Sequence, residues 1–195
     1  SKPNDQPDPT QNVEITYPPY CEEVWEVAGQ KLEIVVGHLG LQVEDFHYNG
    51  QTYQFNKSIS YLGQSFQMHL CPYRNEENGY IQGVEYSMEL DEKEGTIDAI
   101  LNLRKEIETV YGPADEAGGI RQIEEAHLSE AFEAEELWDT QMIWILTRDI
   151  PDEIRTKFAP TCWALHFRVL MPNEEGHPTT QGKVYVQLTY KLTQE

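Results

Sequence analysis

The chain has 195 residues, 39% of them hydrophobic, and a formal net charge of −20. That length suits one domain or two small ones closely packed, and the apolar share, with four Trp and eleven Tyr, is enough for a real core. The negative balance disfavours nucleic acid and anionic membrane surfaces as partners, which carry the same sign, and no apolar run approaches the ~20 residues that span a bilayer.

The first segment, Ser1 to Asn12, holds three prolines and no aliphatic or aromatic residue. It cannot bury enough apolar surface to offset its ordering entropy, which predicts a disordered tether over 1–16 and a folded part over 17–195. A polar, Pro-punctuated leader that starts without Met is similar to the tether of bacterial exported lipoproteins after signal removal. That resemblance implies a lipid-bearing Cys upstream of Ser1 and a place in the periplasm or at the cell surface. The alternative is an arbitrary cut in a longer, cytoplasmic chain.

After Tyr17-Pro18-Pro19-Tyr20, apolar residues at Val24, Ala28, Leu32, Val35 and Leu39 step by three and four, which predicts one helix closed by Gly40 and Leu41. Asn49-Gly50 between Phe46-His47-Tyr48 and Gln51 to Phe55 predicts a tight hairpin, because its residues tolerate positive φ. A second strand pair is expected around Leu62-Gly63-Gln64, with Phe66, Met68 and Leu70 on one side. Asn75 to Gly79 reads as a polar loop, and Val84, Tyr86, Met88 and Leu90 as the buried face of a strand.

Asp91 to Gly95 interrupts the pattern. Thr96 is the expected cap of a second helix, with Ile97, Ile100, Leu101, Ile107 and Val110 inward and Tyr111-Gly112-Pro113 as its stop. Gly118-Gly119 reads as a turn, and Ile120 to Leu137 as a third, Glu-rich helix. Met142 to Thr147 is continuously apolar and so is expected to be central and covered on both faces. Cys162 to Leu170 follows a loop with Pro151 and Pro160. Lys183 to Leu192 alternates cleanly and is expected to pair with it across the polar loop Pro172 to Gly182. A cadence of helix, Tyr-Gly-Pro and Trp-containing strand resembles small bacterial α+β proteins of unknown function. The reading is α+β: a mostly antiparallel sheet with two to three helices packed on one face. A helix followed by antiparallel strands occurs twice, so two similar halves, 17–91 and 92–195, are the alternative to a single domain.

Motifs for chemistry are sparse. No GxSxG elbow, CxxC pair or phosphate-binding glycine loop is present. Cys162 and His166 fall on one side of a strand, about 13 Å apart at ~3.3 Å per residue, too far for a dyad. Glu124 and His127 have the Glu-x-x-His spacing of di-metal bundles, but such sites need the motif twice. The single copy reads as the edge of a solvated helix face, so no metal and no cofactor are expected. Cys21, Cys71 and Cys162 are an odd count. Cys21–Cys71 is the natural pair in an oxidising compartment, and three buried thiols is the preferred reading.

Two surfaces remain as binding candidates. From Asp91 to Asp139 there are fifteen acids against four bases, and Glu124, Glu125, Glu130 and Glu133 would present an acidic helical face to a basic partner. Tyr73 and Tyr80 flank the polar loop as an aromatic surface, whereas Trp144 and Trp163 lie in apolar strands as core. The leading expectation is a non-catalytic, envelope-tethered protein that binds a protein or a glycan. The alternative is an acidic inhibitor or immunity-type protein that masks a basic partner.

Overall fold

The computed structural model describes residues 17–91, 95–118, 123–134, 138–171 and 183–194. The tether read over 1–16, the loop read at Pro172 to Gly182, and Gly119, Glu135 and Glu136 lie wholly or mainly outside them. The strands are β1 (Phe46–Tyr48), β2 (Tyr53–Tyr61), β3 (Gln64–Pro72), β4 (Ile81–Asp91), β5 (Glu116–Gly118), β6 (Trp138–Thr147), β7 (Cys162–Met171) and β8 (Lys183–Thr193). The helices are α1 (Cys21–Glu26), α2 (Leu32–His38), α3 (Thr96–Tyr111), α4 (Glu125–Ala134) and α5 (Asp152–Phe158). All strands join one antiparallel sheet in the order β1-β2-β3-β4-β8-β7-β6-β5. The fold is therefore α+β, an open antiparallel sheet with helices packed on one face. Among the described residues no helix is long and apolar enough to cross a membrane.

Local chemistry explains the hairpins. Gly50 has φ +96°, and Asn49 Oδ1 accepts from the backbone N–H of Gln51 at 3.0 Å and of Thr52 at 2.8 Å, an Asx turn that closes β1 on β2. Leu62 and Gly63 both have positive φ and turn β2 into β3. Gly40, at φ +71°, ends α2 as the sequence predicts: its N–H donates to Gly37 and that of Leu41 to Val36, both at 3.1 Å, the paired bonds of a Schellman ending.

The alternating strands put their apolar phase under the helices. Phe66 of β3 registers with Ile59 of β2, and Leu70 and Met68 of β3 register with Val84 and Tyr86 of β4, which register with Tyr190 and Leu188 of β8. Leu165 and Phe167 of β7 and Trp144 and Met142 of β6 continue the layer, and all are buried. Each such side chain contributes roughly 1.5–3 kcal/mol by leaving water. The helices are fastened to this layer through polar groups of its aromatics. Tyr86 Oη donates to the Pro19 carbonyl before α1, and Trp144 Nε1 donates to the Gly112 carbonyl after α3 at 2.8 Å. Trp25 of α1 packs on Trp163 at 5.0 Å between ring centroids.

Several expectations are corrected. The first helix is two: Gly29 takes φ +86°, and the chain there pairs with β4 instead, Gly29 N–H to the Ile81 carbonyl at 2.7 Å and Ile81 N–H to the Gln30 carbonyl at 2.8 Å. A continuous helix could not offer those backbone groups sideways. Thr96 does not cap α3; it lies inside the first turn, and its hydroxyl donates back to the Asp91 carbonyl at 2.5 Å. The stretch with Pro151 and Pro160 is a helix, α5. Pro151 stands at its N-cap, Asp152 and Glu153 in the first turn, Arg155 and Lys157 in the last, and left-handed Ala159 at its end. Those charges complement the helix dipole, and the two prolines bracket the helix rather than exclude it. The third helix is confined to Glu125–Ala134 in the described residues, and the short β5 was not anticipated.

The largest correction concerns Met142 to Thr147. β6 is next to the sheet edge, not central, and Ile143 and Ile145 are only half-buried on the face away from the helices. Its outer edge is guarded locally: Asp115 N–H donates to the Ile143 carbonyl at 2.7 Å, and Asp115 Oδ2 accepts from Ile145 N–H at 2.6 Å. A carboxylate on an exposed edge blocks strand addition.

The true centre is β4 on β8, nine registered pairs from Gly83↔Lys191 to Asp91↔Lys183. Gly83 is required there. A Cβ on it would stand 2.6 Å from Lys191 Cα and closer still to the Tyr190 carbonyl, and neither backbone atom can move aside. Gly83→Ala is therefore expected to cost about 3 kcal/mol or more in urea denaturation. A loss under about 1 kcal/mol would contradict this close approach.

Candidate functional site

The polar phase of the strands forms the other face of the sheet. His69 and Cys71 of β3, Glu85 and Ser87 of β4, Gln187, Thr189 and Lys191 of β8, and His166 and Arg168 of β7 all point to it by register. A cleft of about 320 Å³ crosses this face from the β1–β2 turn, where Asn49 and Thr52 line it, to Gln141 of β6. Its volume is at the small end of ligand sites. Among the described residues no Trp, Tyr or Phe lines it.

His69 holds the wall nearest the hairpin. It is 7% exposed, with Nδ1 2.9 Å from Thr52 Oγ1 and Nε2 3.0 Å from Ser87 Oγ, so one ring ties the β1–β2 turn to β4. Burial, and next the charge of His47, lower its pKa to about 4. His166 is brought to about 4 by burial and then by Lys191. Its Nε2 is buried and has no hydrogen-bond partner among the described residues. Both rings are neutral at pH 7.

Glu85 is the one carboxylate among the lining residues. Burial raises its pKa against the Thr189 hydroxyl, which donates to Oε1 at 3.4 Å, and the charges of Lys191 and Arg168. Two basic side chains thus face one acid, in a chain whose overall charge is −20. Cys71, also lining the cleft, is buried with its thiol pushed up by desolvation, and Sγ contacts the His69 carbonyl at 4.0 Å. A thiol held protonated is a poor nucleophile.

The sites expected from sequence lie elsewhere. Glu124, Glu125, Glu130 and Glu133 are exposed at the start of and along α4. His127 Nδ1, in the first turn of α4, is 3.9 Å from Oε2 of Glu124 just before the helix. Among the described residues no group of three or more His, Cys, Asp or Glu is placed to hold a metal ion. Tyr73 stacks on Phe158 of α5 at 4.8 Å, and the Arg74 guanidinium lies over its ring at 5.1 Å. Tyr80 lies under two ammonium groups, Lys31 at 4.5 Å and Lys157 at 4.9 Å. Those lysines donate to the Asn78 carbonyl at 2.5 Å and the Gly29 carbonyl at 2.8 Å. The two tyrosines thus anchor α5 and the α1–α2 junction to the loop before β4. Cys21, Cys71 and Cys162 are all buried thiols, and Cys162 Sγ donates to the Thr193 carbonyl at 3.8 Å.

Sequence reasoning missed the cleft because each of its residues occupies the polar phase of a strand, which reads as solvent-facing. The available signal was titratable residues in that phase: His69, Glu85, His166, Arg168 and Lys191 on four strands. Only the sheet order unites them. No protein-family model, no curated protein and no solved structure matches the chain.

The two histidines give the fold a defined acid sensitivity. An unfolded histidine gains its proton near pH 6.5 and these two near pH 4. Their contribution to stability is complete above pH 6.5 and is lost as pH falls toward 4, while Glu85, with its raised pKa, acts in the opposite direction. At about pH 4.5 each histidine costs roughly 2 kcal/mol relative to pH 7. Urea titrations at the two pH values should show His166→Gln losing less stability on acidification than the parent. An equal loss would place His166 in water.

Proposed function

We propose that this protein is a non-catalytic binding protein that takes a polar ligand, a glycan in kind, on the uncovered face of its sheet, and that its N-terminal segment tethers it at the bacterial cell envelope. The observation that carries the reading is the cleft: a half-open, mainly polar hollow of about 320 Å³ lined from five strands, the β1–β2 turn and Asn75. Proteins keep such a rigid, hydrogen-bonding concavity on sheet elements where recognition needs fixed groups. The chemistry of its lining supports binding without turnover. Glu85 has no second carboxylate among the lining residues to share acid–base work, and the Cys71 thiol is held protonated. The proline-rich, apolar-free composition of Ser1 to Asn12 supports the tether.

Amide-resolved NMR tests the site. Titration with oligosaccharides of the envelope should shift residues of β3, β4, β7 and β8 around the cleft, without product appearing. Turnover of the sugar contradicts the non-catalytic reading. The competing reading, an acidic protein that masks a basic partner, draws on the exposed carboxylates Glu124, Glu125, Glu130 and Glu133. It requires shifts confined to α4 and binding that falls steeply with salt. For the tether, fractionation of cells producing the natural gene product should place the protein with the envelope, and recovery wholly in the cytosol contradicts it.

A further inference from the structure

We infer that the ligand of the cleft carries a carboxylate: a small polyhydroxylated acid such as a uronic acid, free or as a residue of an acidic polysaccharide, held through Lys191 and His166. The inference rests on the binding reading above and names its ligand class.

Lys191 carries the argument. It is half-buried on β8 and lines the cleft, yet its ammonium makes no hydrogen bond or ion pair with any described residue. Lys31, Lys157 and Lys183 by contrast each hold an oxygen: the Asn78 carbonyl, the Gly29 carbonyl and the Asp91 carboxylate. Glu85 is near enough to feel Lys191 electrostatically but forms no salt bridge with it. An ammonium partly removed from water, with the field of Glu85 but no contact ion pair, can gain further from an anionic ligand.

His166 is the second unspent group. In the β7–β8 register Lys191 faces Ala164 and Thr189 faces His166, so Lys191 and His166 are diagonal neighbours on one face. Such neighbours stand about 7–8 Å apart at Cα, within reach of one carboxylate between two long side chains. The buried Nε2 of His166 has no partner among the described residues. A neutral ring can carry its proton at Nε2 and, once ligand entry turns the ring so that this buried atom meets the cleft, donate it to a carboxylate oxygen, while Lys191 supplies the charge. Thr189 and Gln187 lie beside this pair on β8, with a hydroxyl and an amide that suit a polyol. Among the described lining residues there is no Trp, Tyr or Phe on which a neutral sugar could stack, so recognition here is by charge and hydrogen bonds.

The test is calorimetric titration of the purified protein with sodium glucuronate and with a trigalacturonate, against glucose and maltotriose. The uronates should bind at least about tenfold more tightly than the neutral sugars, and Lys191→Gln should remove roughly that tenfold preference while Lys191→Arg keeps most of it. Circular dichroism and urea midpoints on both variants show whether the fold is intact. His166→Gln gives an independent arm with the same expected direction. A trigalacturonate preferred over glucuronate identifies a residue of a polysaccharide, and equal binding a free acid. Neutral sugars binding as well as uronates, or uronate affinity unchanged in both variants, would overturn the inference and leave the binding site standing. No heat with any of the four sugars up to ~20 mM overturns it as well. Uronate binding whose NMR shifts fall on α4 rather than the cleft would instead overturn the binding reading itself.

Discussion

The pairing of β4 with β8 is the constraint on which the rest of the molecule depends. Every other neighbour relation in the sheet joins consecutive strands, β1 to β4 on one side and β5 to β8 on the other. Those contacts are comparatively local and cheap in loop entropy. The β4–β8 ladder alone closes the chain over about a hundred residues, from Gly83↔Lys191 to Asp91↔Lys183, and such closure must be offset by what it brings together. What it brings together is the middle of the core, Val84, Tyr86 and Met88 against Tyr190, Leu188 and Val186, all buried. Gly83 is the concession that lets the two backbones meet at one end, and the Asp91–Lys183 ion pair marks the other.

The same ladder makes the site. Because side chains alternate along a strand, fixing the apolar phase of β4 and β8 under the helices fixes Glu85, Ser87, Thr189 and Lys191 on the opposite face. One residue of slip would bury those groups and expose Tyr86 and Tyr190. Hydrophobic burial therefore sets the geometry of a polar cleft to which it contributes no atom. The cleft's electrostatics follow from its depth. Desolvation lowers the affinity of His69 and His166 for protons and raises that of Glu85, so the hollow carries Lys191 and Arg168 against a weakened carboxylate.

Much of the scaffold was legible in the sequence. Asn49-Gly50, Leu62-Gly63 and Gly40-Leu41 declare their turns because only a few residues tolerate positive φ, and the even alternation of Val184 to Leu192 declares β8. What could not be read was anything decided at a distance. Gly29 looks compatible with a helix until β4 claims its N–H. Met142 to Thr147 has the composition of a central strand, but the order of strands puts it beside the short β5, with Ile143 and Ile145 facing the cleft side. Pro151 and Pro160 suggest a loop when read singly and delimit α5 when read with the charges between them. The acidic helix and the tyrosine pair stood out for composition, and composition located the solvated face and an internal anchor. The cleft residues look ordinary one by one, and their meaning lies in the register.

Native-state hydrogen exchange tests the central role of the β4–β8 ladder most directly. If that ladder holds the sheet together, the amides of β4 and β8 exchange only by global unfolding, and the inner strands on both sides, β3 and β7, lose protection with the same denaturant dependence. The account is contradicted if β1 to β4 open with a free energy and denaturant slope of their own while β6 to β8 stay protected.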